Sequence, residues 1–233
     1  NRKYAKAFPS GYSETFGSRV AVTDIERIET LYADDAKSMT LSFYRSMEAN
    51  SSELKIKLFH QDGALLLSDL IPVLENLGLK VADEYPYEVQ PLGEKSFWLY
   101  DFTLIYEQVT DFDPVNYQEA FADAFLSVWY GKAENDAFNK LILGADIRWR
   151  DVAMLRALAR YIKQIRFGFS QDYIAQTLLN HATIVKDLVD LFTNRFHPDF
   201  SISLEAQQNR IDDILKRLDD VSNLNEDRII RKY

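Results

Sequence analysis

Residues 54–102 read LKIKLFHQDGALLLSDLIPVLENLGLKVADEYPYEVQPLGEKSFWLYDF, and this stretch decides the fold. Its opening residues alternate between apolar and charged side chains. Leu54, Ile56 and Leu58 share one side of the predicted strand, whereas Lys55 and Lys57 share the other. The pattern therefore predicts a strand with one buried face and one face in water.

The rest of the stretch predicts a helix and two further strands. Apolar residues recur at helical spacing from Leu66 to Leu77, and Gly78 ends the helix as a C-cap. Residues 80–89 and 97–109 then predict two strands around a Pro-Leu-Gly turn.

A helix and a strand are predicted upstream of this stretch. Apolar residues at steps of three predict a helix from Val22 to Leu31, with Thr23 or Asp24 able to cap its start. Residues 39–47 alternate and predict a strand. The predicted order is helix, two strands, helix, two strands.

Beyond Asp113 and Pro114 the hydrophobic period becomes helical and remains so. Pro114 also predicts a helix start, because Pro is favoured at the first position of a helix. Glycines at 131, 144 and 168 separate the predicted helices, and Pro198 stops the last of them. Apolar residues from Leu204 to Val221 then predict one long helix or one arm of a coiled coil.

These patterns predict an α+β chain in three parts. Residues 1–112 contain two helices and four strands. Residues 113–200 form an all-helical bundle, and residues 201–233 form a long helix.

Two segments carry a resemblance to a known family. The stretch at 54–102, together with AENDAFNKLILGADIRWRDVAMLRALARYIKQ at 133–164, resembles the very large bacterial NAD-dependent glutamate dehydrogenases, in the region that precedes their catalytic domain. The resemblance extends from FPSGYSETFG to LFTNRF, that is, over residues 8–196. It implies that residues 1–112 are an ACT-like, ferredoxin-like regulatory domain, that is, an antiparallel four-stranded sheet with helices on one face. It also implies that residues 201–233 lead toward the catalytic domain.

Composition excludes several classes of protein. A net charge of −9 disfavours general nucleic-acid binding, because phosphate contacts need a basic face. The chain has no cysteine and no run of eighteen apolar residues, so neither a thiolate metal site nor a membrane span is expected. We expect a cytoplasmic protein. Because the sequence begins with Asn1, we also expect a piece of a longer chain.

No catalytic, cofactor-binding or metal-binding residue is predicted. The glycines never form G-x-G, so the sequence lacks a dinucleotide fingerprint and a phosphate loop. His60 and His181 lack the spacing that places two imidazoles on one metal ion. His197 and Asp199 could form a chelate, but a loop at the end of a helix explains them better.

One segment of the acidic chain is basic. Residues 148–166 contain six cations against one carboxylate, Asp151. The predicted docking surface for an acidic partner or anionic effector comprises Arg148, Arg150, Arg156, Arg160 and Lys163. The alternative is internal pairing with Glu134, Asp136 and Asp146. If the cations dock a partner, substitution of Arg156 and Arg160 should leave the melting temperature of this chain nearly unchanged.

The resemblance implies a non-catalytic regulatory or assembly segment of an NAD-dependent glutamate dehydrogenase. It implies that the parent enzyme converts glutamate to 2-oxoglutarate with NAD and that NAD binds outside this segment. Its partners would be other domains and subunits of the same homo-oligomeric enzyme, and possible ligands include a small-molecule effector. The alternative hypothesis is a stand-alone effector-binding or scaffold module without enzymatic activity.

Overall fold

The computed structural model describes residues 2–33, 37–44, 53–61, 63–107, 114–198 and 203–233. The chain divides into two compact units. The first unit comprises Asn1–Glu75 and Leu79–Tyr130, and the second comprises Asn76–Gly78 and Gly131–Tyr233.

The first unit contains four α-helices and four β-strands within the described residues. The helices are α1 (Ser10–Thr15), α2 (Ser18–Tyr32), α3 (Leu67–Asn76) and α4 (Pro114–Trp129). The strands are β1 (Met39–Tyr44), β2 (Glu53–His60), β3 (Lys80–Val89) and β4 (Phe97–Ile105). These elements confirm the predicted order in residues 22–105. The last residues of the predicted first strand, 45–47, lie outside the described residues.

The predicted C-cap of α3 is confirmed by its geometry. Gly78 has φ 93°, a left-handed conformation that glycine adopts without steric cost. The amide of Leu79 donates to the carbonyl of Leu74 at 3.1 Å, as in a Schellman motif. The glycine therefore ends the helix and turns the chain into β3.

All four strands form one antiparallel sheet in the order β1-β2-β4-β3. In its centre Leu58 of β2 lies opposite Leu41 of β1 and Tyr100 of β4. The pairing of β3 with β4 shifts register between Val81 and Asp83. The predicted four-stranded antiparallel sheet is confirmed.

Helices cover both faces of this sheet rather than one. The ring of Phe43 in β1 lies edge-on to Phe121 of α4, with centroids 4.6 Å apart. On the opposite face Phe59 of β2 joins Ile28 and Leu31 of α2 in one buried cluster. A strand with apolar residues on both sides needs cover on both sides, and α2 provides the second layer.

The prediction that the lysine side of β2 lies in water is wrong at Lys57. Lys57 is 2% exposed, and its ammonium binds the carboxylate of Asp24 in α2. Asp24 does not cap the start of that helix either, since α2 begins at Ser18 after Gly17. A helix that supplies a buried carboxylate makes a buried lysine tolerable on the same face.

Every element of secondary structure described in residues 131–233 is a helix. A 3₁₀ helix at Ala137–Lys140 leads into the short α5 (Leu141–Gly144). The other helices are α6 (Trp149–Gln164), α7 (Gln171–Asn180), α8 (Ala182–Phe196), α9 (Leu204–Leu218) and α10 (Leu224–Ile230). This confirms the predicted helical region after the sheet. Among the described residues, no helix combines the length and apolarity that a membrane span requires.

The compact first unit extends to Tyr130, beyond the predicted domain boundary at residue 113. The reason is that α4 packs on β1 through Phe121. The first helix after the period changes thus belongs to the layer that covers the sheet. The division into residues 1–112, 113–200 and 201–233 stays a prediction about independent folding.

A single long helix over residues 201–233 is not what the structure contains. Helix α9 ends at Leu218, and α10 starts after Asn223, whose side chain accepts hydrogen bonds from the amides of Asn225 and Glu226. Asn is a preferred N-cap, so this residue starts a new helix. Ile214 and Leu218 instead pack with Ile184 and Ile230 in one buried cluster.

Candidate functional site

The predicted docking surface lies on and just before α6. The helix begins after Arg148, whose amide donates to the carboxylate of Asp151 at 3.0 Å. This bond satisfies one of the backbone groups left free at the helix start. The buried side chains of the helix lie between residues 152 and 162. The five predicted cations differ in their position relative to this buried face.

Arg156 does not lie on an exposed surface. It is 4% exposed, and its Nε and Nη2 donate to the two oxygens of Asp136 at 2.7 and 2.8 Å. Nη2 also donates to Asn139 at 2.8 Å. A planar guanidinium suits such a bidentate arrangement. For this residue the prediction of a docking role is wrong, and the alternative of internal pairing is confirmed.

Asp136 also fixes the backbone in front of α5. Its carboxylate accepts a hydrogen bond from the amide of Phe138 at 3.1 Å and so caps the 3₁₀ helix. Arg156, Asp136 and Asn139 therefore connect the middle of α6 to the turn that begins the second unit's helices. We name these three residues the arginine network.

Arg160 forms an exposed ion pair. Its guanidinium donates to both oxygens of Glu134, and the two side chains are 56% and 50% exposed. The hydrogen bond with Glu134 raises the pKa of Arg160. An exposed ion pair of this kind contributes little to stability, so it leaves Arg160 available to a partner.

Three predicted surface cations remain exposed: Arg148, Arg150 and Lys163. The guanidinium of Arg150 lies 4.4 Å from the ring centroid of Trp149, a cation–π contact. The third predicted carboxylate partner, Asp146, pairs with Lys186 of α8 instead. We name Arg148, Arg150, Arg160 and Lys163 the basic face, and its docking role stays a prediction.

The histidines take part in local hydrogen bonds. Nδ1 of His60 lies 2.9 Å from the carbonyl oxygen of Gly63, and Nε2 of His181 lies 2.8 Å from the carboxylate of Glu226. Within the described residues, no group of three or more His, Asp or Glu side chains could hold a metal ion. Asp199, the other half of the possible chelate with His197, lies outside the described residues.

Sequence reasoning missed a buried charged cluster in the first unit. Nζ of Lys57 lies 2.5 Å from Oδ2 of Asp24, and the two side chains are 3% and 4% exposed. The hydroxyl of Tyr12 donates to the same carboxylate at 2.6 Å. On β4 the buried Asp101 accepts a hydrogen bond from Tyr44 at 2.5 Å. We name these five residues the ammonium cluster.

Aromatic rings surround the ammonium group of Lys57. Its Nζ lies 3.6 Å from the ring centroid of Phe16, 5.4 Å from that of Tyr12 and 5.6 Å from that of Tyr44. Each distance is within the range of a cation–π interaction, which strengthens when the cation is desolvated. The ammonium therefore has a carboxylate on one side and aromatic rings on others.

Burial shifts several pKa values in this cluster. Desolvation lowers the pKa of Lys57, and the hydrogen bond to Asp24 opposes that shift. Desolvation likewise raises the pKa of Asp101, against the hydrogen bond from Tyr44. The pKa values of Tyr12 and Tyr44 are raised, first by burial and then by their bonds to carboxylates. Removing either partner of the Lys57–Asp24 pair would leave a charge in a site that disfavours charge.

The signal that could have found this cluster is an aromatic repeat. Tyr4, Phe8, Tyr12 and Phe16 recur at every fourth residue of the sequence. Consecutive rings contact one another, with centroids 6.5, 4.4 and 4.9 Å apart. The repeat indicated a buried N-terminal segment, although nothing in it named Lys57 as the residue beneath.

Three family models match this chain. Residues 1–31 match the helical motif 2 of glutamate dehydrogenase, residues 38–117 match its ACT3 domain, and residues 133–198 match its helical motif 3. Apart from residues 76–78, the first two matches fall in the first unit, and the ammonium cluster contains residues from both. The third match contains the arginine network and the basic face.

Curated relatives align with nearly the whole chain. NAD-specific glutamate dehydrogenases from Halomonas elongata and Pseudomonas aeruginosa are 45% and 43% identical to it over 99% of its length. The NAD-specific glutamate dehydrogenase from Mycobacterium tuberculosis is 32% identical, also over 99% of the chain. The chain spans only 14% of the length of each relative.

Proposed function

This chain belongs to the glutamate dehydrogenase family, and from that premise we propose that it is a non-catalytic regulatory and assembly segment of an NAD-dependent glutamate dehydrogenase. The observation that carries the proposal is the set of matched models, an ACT3 domain between two helical motifs. The sequence also lacks a G-x-G turn, through which a backbone approaches a dinucleotide.

In this proposal the parent enzyme carries out the reaction in the cytoplasm and binds NAD elsewhere in its chain. It oxidises glutamate to 2-oxoglutarate and ammonia and reduces NAD to NADH. The relatives' names support this reaction, because each is an NAD-specific glutamate dehydrogenase.

The isolated chain should bind no NAD. Calorimetric titration with NAD at roughly millimolar concentration should show only heats of dilution. This concentration is high enough to reveal even weak binding. The full-length parent, titrated in the same buffer, is the positive control. A saturable isotherm with one NAD per chain of this segment would place a cofactor site here and overturn the proposal.

We further propose that the basic face docks an acidic surface of another domain or subunit of the parent enzyme. Arg148, Arg150 and Lys163 are exposed, and Arg160 forms an exposed ion pair. The chain as a whole is acidic, with 36 carboxylates against 27 lysines and arginines. A local excess of cations in such a chain favours a complementary partner and fixes its orientation.

Charge reversal at Arg150→Glu and Lys163→Glu should separate docking from local stability. The isolated chain should change its free energy of unfolding by less than about 1 kcal/mol, because both side chains are exposed. The parent enzyme should lose assembly affinity by roughly tenfold or more, measured by sedimentation at low salt.

The matched control is Lys6→Glu with Arg19→Glu. These exposed residues of the first unit carry the same charge change on a different surface. Equal loss of assembly in both double variants would mean that net charge, rather than the basic face, controls association.

A further inference from the structure

The ammonium group of Lys57 is bound in the way that a protein binds an amine ligand. Five separate elements contribute to its surroundings: Tyr12 from α1, Asp24 from α2, Tyr44 from β1, Asp101 from β4, and Phe16 from the turn between the two helices. Charged lysines are rarely fully buried, and this one has a carboxylate and an aromatic ring within 3.6 Å.

We propose that the ammonium cluster is a binding site for a primary ammonium group, and that Lys57 is its internal ligand. The site would accept a free small alkylammonium ion if the side chain of Lys57 were removed. This inference does not depend on the proposed regulatory function, because it rests on contacts within the first unit and is tested by the stability of that unit.

The composition of the site selects an ammonium ion over a neutral group. Asp24 offers an anionic acceptor, and its orientation is fixed by the hydroxyl of Tyr12 at 2.6 Å. Asp101 adds a second buried carboxylate, held by Tyr44 on the neighbouring part of the sheet. Aromatic faces and carboxylates together attract the positive charge of an amine, whereas an alcohol of equal size can donate a hydrogen bond but carries no charge for them to attract.

Occupation by Lys57 joins two modules that the family models describe separately. Lys57 lies within the ACT3 match, and Asp24 and Tyr12 lie within the helical motif 2 match. Asp24 and Lys57, which form the ion pair, are 33 residues apart in the sequence. The internal ligand therefore attaches α1 and α2 to the sheet without any effector, and free amines should not compete for this site in the unaltered chain.

The test is chemical rescue of Lys57→Ala. Alanine keeps Cβ, so n-propylammonium replaces the three carbons and the nitrogen that the substitution removes. The substitution should lower the melting temperature of the first unit by on the order of 10 °C. Propylammonium chloride up to about 100 mM should then raise the melting temperature saturably and recover at least half of the loss.

Three controls define the expected pattern. 1-Propanol at equal concentration, with sodium chloride to match ionic strength, should give less than a third of the rescue. The unaltered chain should not respond to propylammonium. Adding Asp24→Asn to Lys57→Ala should abolish the response, because the anionic acceptor is gone. Equal rescue by propanol, or rescue that survives the loss of Asp24, would overturn the inference.

A Lys57→Ala chain that is unfolded in plain buffer still provides a test. The same salts are then present during refolding, and circular dichroism measures the secondary structure recovered. A gain with propylammonium that exceeds the gain with propanol supports the ammonium site. No gain with either compound overturns it.

Discussion

Replacing Lys57 with methionine should lower the free energy of unfolding of the first unit by about 3–5 kcal/mol, the usual cost of removing one partner from a buried ion pair. Methionine fills most of the volume of the lysine stem but leaves the carboxylate of Asp24 without its cation. The hydroxyl of Tyr12 still donates a hydrogen bond to that buried carboxylate but brings no positive charge. Denaturant unfolding in a Trp149→Phe background measures the effect, since Trp98 and Trp129 then report on the first unit.

The double variant Asp24→Asn with Lys57→Met separates charge from packing. Asparagine keeps an oxygen that can accept the hydrogen bond of Tyr12, and neither charge remains. The double variant should therefore recover to within about 1 kcal/mol of the unaltered chain. Lys80→Met is the exposed control, because the Lys80–Glu107 pair is 65% and 60% exposed. A double variant as unstable as Lys57→Met would mean that the loss comes from packing.

Replacing Arg156 with alanine should destabilise the second unit by about 2–5 kcal/mol, as expected when one partner of a buried hydrogen-bonded charge pair is truncated. The low end applies if water reaches Asp136, whose side chain is 34% exposed. Three hydrogen bonds are lost. One of them is the bond that the buried Oδ1 of Asn139 accepts from Arg156. Hydrogen exchange of peptides from α6 and the preceding turn, followed by mass spectrometry, measures the loss.

Arg160→Ala is the matched control for the arginine network. It removes a cation one helical turn away whose pair with Glu134 is exposed, so the free energy of unfolding should change little. Arg156→Lys should recover only part of the loss, because an ammonium cannot form the bidentate arrangement. If Arg156→Ala unfolds like Arg160→Ala, the network does not stabilise the fold. For Arg156 this expectation is the opposite of the one that a docking role implies, and it agrees with the alternative of internal pairing.

The strands and most helices follow from local pattern. Alternation in residues 53–60, the glycine at 78 and the change of period near Pro114 each depend on residues close in sequence. Such signals decide secondary structure because strand and helix periods place neighbours on fixed sides. The same stretches carried the resemblance to glutamate dehydrogenase, which the family matches confirm.

The surroundings of individual charged residues did not follow from the sequence. Arg156 and Arg160 lie one turn apart with the same local pattern, yet the first is buried and the second is exposed. The break between α9 and α10 likewise depends on the cap at Asn223 and on packing against Ile184. The sequence therefore predicted which helix carries the cations, but it did not predict which of them are buried.

Sequence alone determined that Lys57 lies on the opposite side of β2 from Leu54, Ile56 and Leu58. Only the tertiary structure decided that α2 covers that side and presents Asp24 to the ammonium group. The physical reason is that alternation specifies which side chains share a face, whereas burial depends on what packs against the face. In this chain that packing comes from a helix 33 residues earlier in the sequence.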